Sequence, residues 1–526
     1  MECVIATFKC LNPFLSLICS VPLEVFPRFA SLVPDFQWRE FLKHPYIINL
    51  RVGSKLNRHN TMNEKLQKDL LNFEKLMDVV KRQGVDFLNN ISQRPTSSNA
   101  TVQVSDTLNF EGLGGDETLK LFNNKFEPIV VGSTGPRYWG FVIGGSTPAS
   151  IMGDMLATFY DQNTQATKGQ GDISALIEIE TIKLLLDLFN LPKEFLGGFV
   201  TGATMSNFTC LGVARQWIGK QQNIDIAKDG VPKGIKILSA VPHSSTIKSL
   251  SMLGIGSNNM QKVKGLDGNR EAIDIADLQN QINQLDNEPF ILIASAGTVN
   301  TVDFDDFEQI AELKTKHKFW LHIDGAFGAF AACSPKHKHL LNRWEVADSI
   351  TIDCHKWLNV PYESAFFLIK EHHKILQTET FQNTNAPYLG NPSDNFNYLN
   401  FLPENSRRLR ALPAWFTLNA YGKKGCQDIV ENSIKMAELF GQFIEKSQWL
   451  ELLAPVRLNN VCFTVKGEDK QEIVPDFLTA LNNTGKVFMT PTVYNGRKGI
   501  RASFVNWRTT ETDIELVIQE IKKLKQ

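Results

Sequence analysis

The chain has 526 residues, enough to bury a large core and to build roughly two or three domains. Acidic and basic side chains nearly cancel, 56 against 55, giving a formal net charge of −1. That excludes a protein working through a broad electrostatic field on nucleic acid or a membrane surface. The eight cysteines are scattered with no CxxC pair, so no zinc site or disulfide framework is visible, and the reducing cytoplasm is the simplest fit.

Residues 1–61 read as an atypical extension. Met1 to about Val33 is apolar and broken by prolines, with Cys3, Cys10 and Cys19. It lacks the charged start of a secretory signal and places Lys9 where the apolar core belongs. It is either a poorly ordered extension or sequence upstream of a start at Met62. Met62 opens an amphipathic pattern of Leu66, Leu70, Leu71, Phe73, Leu76, Val79 and Val80, which predicts helix to about Asn90. A polar linker, Pro95-Thr96-Ser97-Ser98-Asn99, follows within a helical N-terminal segment expected over 62–130. No later stretch has the uninterrupted apolar length of a membrane span.

A large domain is expected over 131–425. It opens on Gly135-Pro136-Arg137-Tyr138-Trp139-Gly140-Phe141 and Gly144-Gly145-Ser146-Thr147-Pro148. Glycines beside an aromatic cluster let a backbone approach a ligand closely, and they equally make a turn before a helix near Ala149. From Gly171 onward strands and helices alternate, the pattern of an α/β core. After a Leu176–Leu191 helix, the strand Gly198-Phe199-Val200 runs into Thr201-Gly202-Ala203-Thr204-Met205-Ser206-Asn207 and a further helix. Small residues at a helix start leave N–H groups free for a phosphate, or simply make a well-capped helix. The strand Ile235–Ala240 ends at Pro242-His243-Ser244-Ser245, where Ser244 or Ser245 can cap the next helix. His243 is then left at the mouth of the sheet, either to stack on a flat ring or as a structural histidine. Ile291–Ala294 empties into Ser295-Ala296-Gly297-Thr298, and, after a helix from Asp306 to His317, Phe319–Ile323 ends in Asp324-Gly325-Ala326. An aspartate there is costly unless it meets a cation. The β-branched run Ile350-Thr351-Ile352 delivers Asp353-Cys354-His355-Lys356-Trp357. A desolvated lysine loses its proton more easily and is a candidate for an imine with a carbonyl cofactor. These residues fall at the carboxyl ends of successive strands, the usual ligand crevice of an open α/β sheet.

Phe366–Ile369 is a further strand, and Thr378–Asn405 is a long polar stretch containing Tyr388 beside Pro387. Arg407-Arg408-Leu409-Arg410 opens a long helix through Trp415 and Tyr421, its charges structural or inter-subunit. A smaller α+β domain is expected over 426–526. From about Asn432 it reads helix, strand (Val461–Val465), helix, strand (Gly499–Val505) and helix, with Arg501 on a strand able to face the site.

An aspartate and a lysine at neighbouring strand ends, a phosphate cradle and a stacking histidine together describe a site for pyridoxal 5'-phosphate. The lysine forms the imine, and the carboxylate keeps the pyridine nitrogen protonated so that the ring accepts electrons. Backbone amides hold the phosphate, and a flat side chain fixes the ring's tilt. On these motifs, the chain from about Met62 onward resembles the group II pyridoxal-phosphate-dependent amino-acid decarboxylases, which include aromatic-amino-acid, glutamate and 2,4-diaminobutyrate decarboxylases. The resemblance implies an α/β protein of fold type I, aspartate-aminotransferase-like. That fold has a mostly parallel central sheet with helices on both faces and a smaller α+β C-terminal domain.

The resemblance also implies roles. Lys356 carries the cofactor, with His355 before it; Asp324 meets the pyridine nitrogen and Ala326 lies against the ring. His243 stacks on the ring, Ala203, Thr204 and Met205 hold the phosphate, and Ser295 and Gly297 lie beneath the ring. Asp353 matches a position that is Asn or Asp, while Gly144 and Gly145 align with the substrate side. Tyr388 matches a loop tyrosine proposed to protonate the substrate carbon after carbon dioxide leaves. The loop closes over the site, commonly reaching the partner's site in a homodimer.

The expected reaction turns an L-amino acid into its amine and carbon dioxide, with Tyr388 or His355 returning the proton. Aldehyde-forming relatives replace the loop tyrosine or the stacking histidine, and both are present here. Aldehyde-forming oxidative decarboxylation, transamination, carbon–carbon cleavage and cofactor binding without turnover are the alternatives. Having both Lys356 and Asp324 argues against the last. Phe141 hints at an apolar wall, while Arg137 suits either an acidic substrate or a salt bridge. Aromatic, acidic and diamino substrates therefore stay open. No metal, nucleic acid or membrane partner is expected.

Overall fold

A computed structural model of the chain describes residues 63–168, 171–382 and 396–524. The extension before Met62 and the loop tyrosine Tyr388 lie outside the described residues. Two compact units are formed, 63–78 with 107–119, and 79–106 with 120–524.

In the first unit Asn63 starts the helix Glu64–Leu71, its Oδ1 accepting the N–H groups of Lys65 (2.9 Å) and Leu66 (3.3 Å). The single helix expected to Asn90 is in fact two, parted at Asn72, and the second spans Phe73–Asn89. Asp69 accepts the Gly115 N–H (2.9 Å) at the start of the helix Gly115–Lys125, where a negative charge suits the helix dipole. Leu66, Leu70, Leu71 and Phe73, the apolar positions that predict the first helix, are exposed.

The second unit holds a seven-stranded sheet of β1 (Phe195–Val200), β2 (Lys236–Ser239), β3 (Met260–Lys262), β4 (Phe290–Ser295), β5 (Phe319–Asp324), β6 (Ser349–Asp353) and β7 (Ala365–Lys370). Their order is β1-β7-β6-β5-β4-β2-β3. β4, β5 and β6 are buried along their whole length, which is why they read as continuous apolar runs and not as alternation. Alternate residues feed two cores, Leu292, Ala294, Leu321 and Ile323 on one face, Ile291, Ile293 and Trp320 on the other. Each such leucine or isoleucine stabilises the fold by about 2 kcal/mol. All neighbours are parallel except that β7 runs against both β6 and β1. The chain between β6 and β7 is too short for a crossover helix, so it must turn back beside the strand it has left. In the parallel core Ser295 pairs with Asp324 and Asp324 with Thr351. The register thus lines up three strand ends.

A second, antiparallel sheet has the order β10-β11-β9-β8, from β8 (Leu450–Leu452), β9 (Asn460–Val465), β10 (Thr490–Tyr494) and β11 (Arg497–Ser503). Its core includes Phe440, Phe463, Leu481, Ile500 and Ile514. The helix Ala411–Lys446 runs from the first sheet's domain into this one, broken at Gly422 (φ 58°). The position 425/426, where a boundary is expected, falls inside this helix beyond Gly422, and the helical pattern read from Asn432 continues this helix.

The turn after β6 is fixed from outside. The Gly144 N–H donates to the His355 carbonyl (3.2 Å), and a Cβ at Gly144 would stand 1.6 Å from the Lys356 carbonyl oxygen. Gly144→Ala is expected to destabilise the fold by about 3 kcal/mol, because backbone must move to admit the methyl. A urea titration followed by circular dichroism checks this.

Candidate active site

The carboxyl ends of β4, β5 and β6 open into a cavity of about 240 Å³, lined among others by His243, Ser295, Asp324, Ala326 and Lys356. These five, all singled out in the sequence, are joined in the lining by Phe141, Gly297 and Arg501. Lys356 follows β6 in a turn, and its Nζ lies 2.8 Å from Asp353 Oδ2. Phe327 lies beneath it, 5.6 Å from Nζ to the ring centre. His355 Nε2 is 3.6 Å from the other oxygen of Asp353.

Asp324 is buried and held by dipoles. Its Oδ2 accepts from Asn207 Nδ2 (3.1 Å) and Thr246 Oγ1 (3.2 Å), and its Oδ1 from the Ala326 N–H (3.2 Å). Asn207 is itself oriented by His322, whose Nε2 lies 2.9 Å from Asn207 Oδ1. His322 Nδ1 meets Ser349 Oγ (2.9 Å), which accepts from Trp320 Nε1 (2.9 Å). The only proton arrangement that satisfies every member runs one way, from Trp320 through Ser349, His322 and Asn207 to Asp324. Burial would raise the Asp324 pKa, but the charge of Lys356 and the Asn207 hydrogen bond act against it, and the carboxyl stays below its usual range. It therefore faces the cavity as an anion.

His243 differs from the expectation in one respect. It, and not Ser244 or Ser245, caps the helix Ser244–Met252, its Nδ1 accepting the Ser245 N–H at 3.2 Å. Burial lowers its pKa, assisted by Lys356 and Arg501, so it presents a neutral ring. Ala203, Thr204 and Met205 form the first turn of the helix Ala203–Gln221, whose N-cap Gly202 supplies no capping side chain. That end abuts His355, a Cβ at Gly202 falling 3.6 Å from the imidazole. Its N–H groups are placed to take an anion.

Gly144 and Gly145 stand behind the wall, which is formed in that segment by Phe141 and Val142. Arg137 is spent elsewhere, on Asp513 (2.7 Å) and on the carbonyls of Lys486 and Ser92. Of its two possible uses, the salt bridge is the one made. The sequence pointed to Arg501 only as a residue on a suitable strand. Its guanidinium lines the cavity, bonded to Phe141 O (3.2 Å) and Asn300 Oδ1 (3.5 Å). Asn207, Thr246 and Tyr362 were not singled out at all. For Tyr362 a signal existed, since the short return from Lys356 to β7 must pass the lysine. At the opposite end of β6, donor atoms of Asp348, His372 and His373 lie within 4.8 Å of one another. Both Asp348 oxygens already accept from Lys314 (2.5 Å), the Leu321 N–H (2.7 Å) and His373 (2.9 Å), which marks the group as charge pairing.

These residues suit pyridoxal phosphate. Among the described residues Asp324 has no cation in hydrogen-bond contact and the helix start at Ala203 has no capping side chain, while Lys356 and the neutral ring of His243 line the same cavity as Asp324. The relay also sets a pH dependence. Burial lowers the His322 pKa, so the unfolded chain takes up this proton at about 6.5 while the fold resists it. Stability is therefore lost as pH falls below about 6.5, by roughly 1.4 kcal/mol per unit of pKa difference. His322→Gln, which can donate to Asn207 and accept from Ser349 without titrating, is expected to flatten that acid limb. Urea midpoints of both proteins at about pH 7.5 and about pH 5 decide it.

The pyridoxal-dependent decarboxylase conserved domain matches residues 116–466. An aromatic-L-amino-acid decarboxylase of Bacillus atrophaeus is 26% identical over 461 residues, 84% of this chain and 93% of the relative. A phenylacetaldehyde synthase of Arabidopsis thaliana is 25% identical over 436 residues, 77% and 85% of the two chains. The crystal structure of Catharanthus roseus tryptophan decarboxylase in complex with L-tryptophan superposes with a TM-score of 0.78 at 22% identity, covering 86% of this chain and 98% of that one. With that domain matched over more than half of its length, on a type I fold, the chain belongs to the pyridoxal-phosphate-dependent decarboxylase family.

Proposed function

We propose that the protein decarboxylates an aromatic L-amino acid to its amine and carbon dioxide. The observation that carries this reading is one cavity in which Lys356, anionic Asp324 and neutral His243 meet aromatic walls from Phe141, Phe327 and Tyr362. The names of the relatives support the aromatic class. Pyridoxal phosphate, when bound, supplies a ring that accepts the electron pair left by the departing carboxylate.

The chain's own residues do the rest. Lys356 would hold the cofactor's carbonyl carbon, with Asp353 pairing its charge when it is free. Asp324 would hold the proton on the ring nitrogen, His243 and Ala326 would pack against the ring, and the first turn of Ala203, Thr204 and Met205 would take the phosphate. Ser295 lies beneath, its N–H fixed on Asp305 Oδ2 at 2.7 Å. Arg501 is the cation left over for the substrate's α-carboxylate, since its Nε has no protein partner among the described residues. Tyr388 or His355 would return a proton to the carbon.

We also place the protein in the cytoplasm as a homodimer. Exposed apolar residues support a second copy, Leu66, Leu70 and Leu71 in the first unit and Met152, Met155 and Phe159 in the second. The described cysteines are all free, and no described helix is long and apolar enough to cross a membrane.

Carbon dioxide release from a panel of L-amino acids, with and without added pyridoxal phosphate, tests the function. Cofactor-dependent release from aromatic members with matching amine is expected, and release confined to acidic or diamino acids would overturn the aromatic reading. Lys356→Ala should abolish turnover and the protein-bound cofactor absorbance together. Tyr388→Phe should lower the amine yield per carbon dioxide released, with the corresponding aldehyde appearing in oxygenated buffer. An unchanged amine yield would remove Tyr388 from the proton path.

A further inference from the structure

Arg501 meets the cavity with its guanidinium held by neutral oxygens. Its Nη2 donates to Phe141 O (3.2 Å) and its Nη1 to Asn300 Oδ1 (3.5 Å). Glu271 attracts it through space, but the Glu271 Oε2 is taken by Thr298 Oγ1 (2.5 Å) and by the N–H (3.1 Å) and hydroxyl (2.6 Å) of Thr301. Burial lowers the pKa of the guanidinium, yet an arginine stays charged at neutral pH. A planar cation with neutral partners keeps its capacity for a carboxylate.

Asn300 does not line the cavity itself. It sits in the turn after β4 and reaches all three neighbouring strands of the second sheet. Its Oδ1 also accepts from Thr492 Oγ1 of β10 (2.7 Å), beside the contact with Arg501 of β11. On β9, Cys462 Sγ donates to the Asn300 carbonyl (3.0 Å) and Asn460 Nδ2 to the Val299 carbonyl (2.9 Å). The turn is held in an uncommon shape, because the β-branched Val302 has a positive φ of 52°. Such a conformation persists where its surroundings impose it. Here the Thr298 N–H donates to Asp303 O (2.9 Å), the Val302 N–H to Thr298 O (3.0 Å), and both threonines are fixed on Glu271.

We infer that Asn300 is a positioning residue, which aims the Arg501 guanidinium with an uncharged oxygen and so leaves its charge for the substrate's α-carboxylate. The inference rests on the decarboxylase reading, in which Arg501 takes that carboxylate. An aspartate at position 300 has the same shape and accepts the same hydrogen bonds. It would also pair with Arg501 and compete with the substrate for the cation.

The experiment uses cofactor-loaded wild type, Asn300→Asp, Asn300→Ala and Arg501→Gln, with the L-amino acid of the panel that turns over fastest. Two competitive inhibitors accompany it, its amine and its deaminated acid (for tyrosine, tyramine and 3-(4-hydroxyphenyl)propanoate). In Asn300→Asp, KM and the inhibition constant of the acid should each rise by about tenfold or more. Asn300→Ala should raise both by about threefold, with kcat in either variant within about twofold of wild type. The amine has no carboxylate, so its inhibition constant should not rise in either variant. A turn that serves the fold alone gives another pattern. Asn300→Asp would then match the wild type, since it keeps every acceptor, or acid and amine would weaken together. Either result would overturn the inference. An acid that binds Arg501→Gln as well as the wild type would instead overturn the role given to Arg501.

Discussion

A carboxylate kept ionised out of water is the constraint around which this molecule is arranged. Removing an ion from water costs several kcal/mol even after the protein relaxes. Asp324 recovers part of that from two side-chain hydrogen bonds and one N–H, each worth about 1.5–3 kcal/mol to a charged acceptor. Those donors come from three places, the Ala203–Gln221 helix, the Ser244–Met252 helix and the turn after β5. The relay behind Asn207 brings in β6 through Ser349. Strand register, two helix starts and the polarity of the cavity are thus tied to one anion. What the hydrogen bonds leave uncompensated is what a protonated ring nitrogen would complete.

Burial also explains what could be read from the sequence. The parallel core was legible because burial on both faces leaves an uninterrupted apolar run, and Asp324 and Lys356 stand out as charges at the ends of such runs. The antiparallel return of β7 is not marked within Phe366–Ile369 and shows only in the shortness of its link to β6. His243 was visible as a ring at a strand end, but its capping of its own helix depends on a backbone angle that the sequence does not display. Arg137 remained ambiguous because its partner, Asp513, is far along the chain and meets it only through tertiary packing. The break at Gly422 inside Ala411–Lys446 agrees with how a glycine reads, but that helix resumes directly after it, ahead of the pattern seen from Asn432. Arg501, Asn207 and Thr246 belong to the site through the meeting of separate elements, and no local pattern marks them.

Two kinds of residue surround the cavity, and they are held differently. Asp324, Ser295, Ala326 and the lysine turn are locked by backbone hydrogen bonds, with Gly144 closing the turn from behind. Phe141 and Tyr362 belong to the wall, and both are more than half exposed. Phe141 adopts a positive φ of 59°, so its backbone already tolerates an unusual shape for the sake of where its side chain points.

This division has an evolutionary consequence. Exchanging an exposed wall residue usually changes stability by less than about 0.5 kcal/mol, whereas altering the buried frame costs several times as much. A lineage built on this plan can therefore drift from one amino acid to another by changing the wall, while the machinery that breaks the carbon–carbon bond is passed on untouched. The frame is heritable, and the wall is where its descendants would differ.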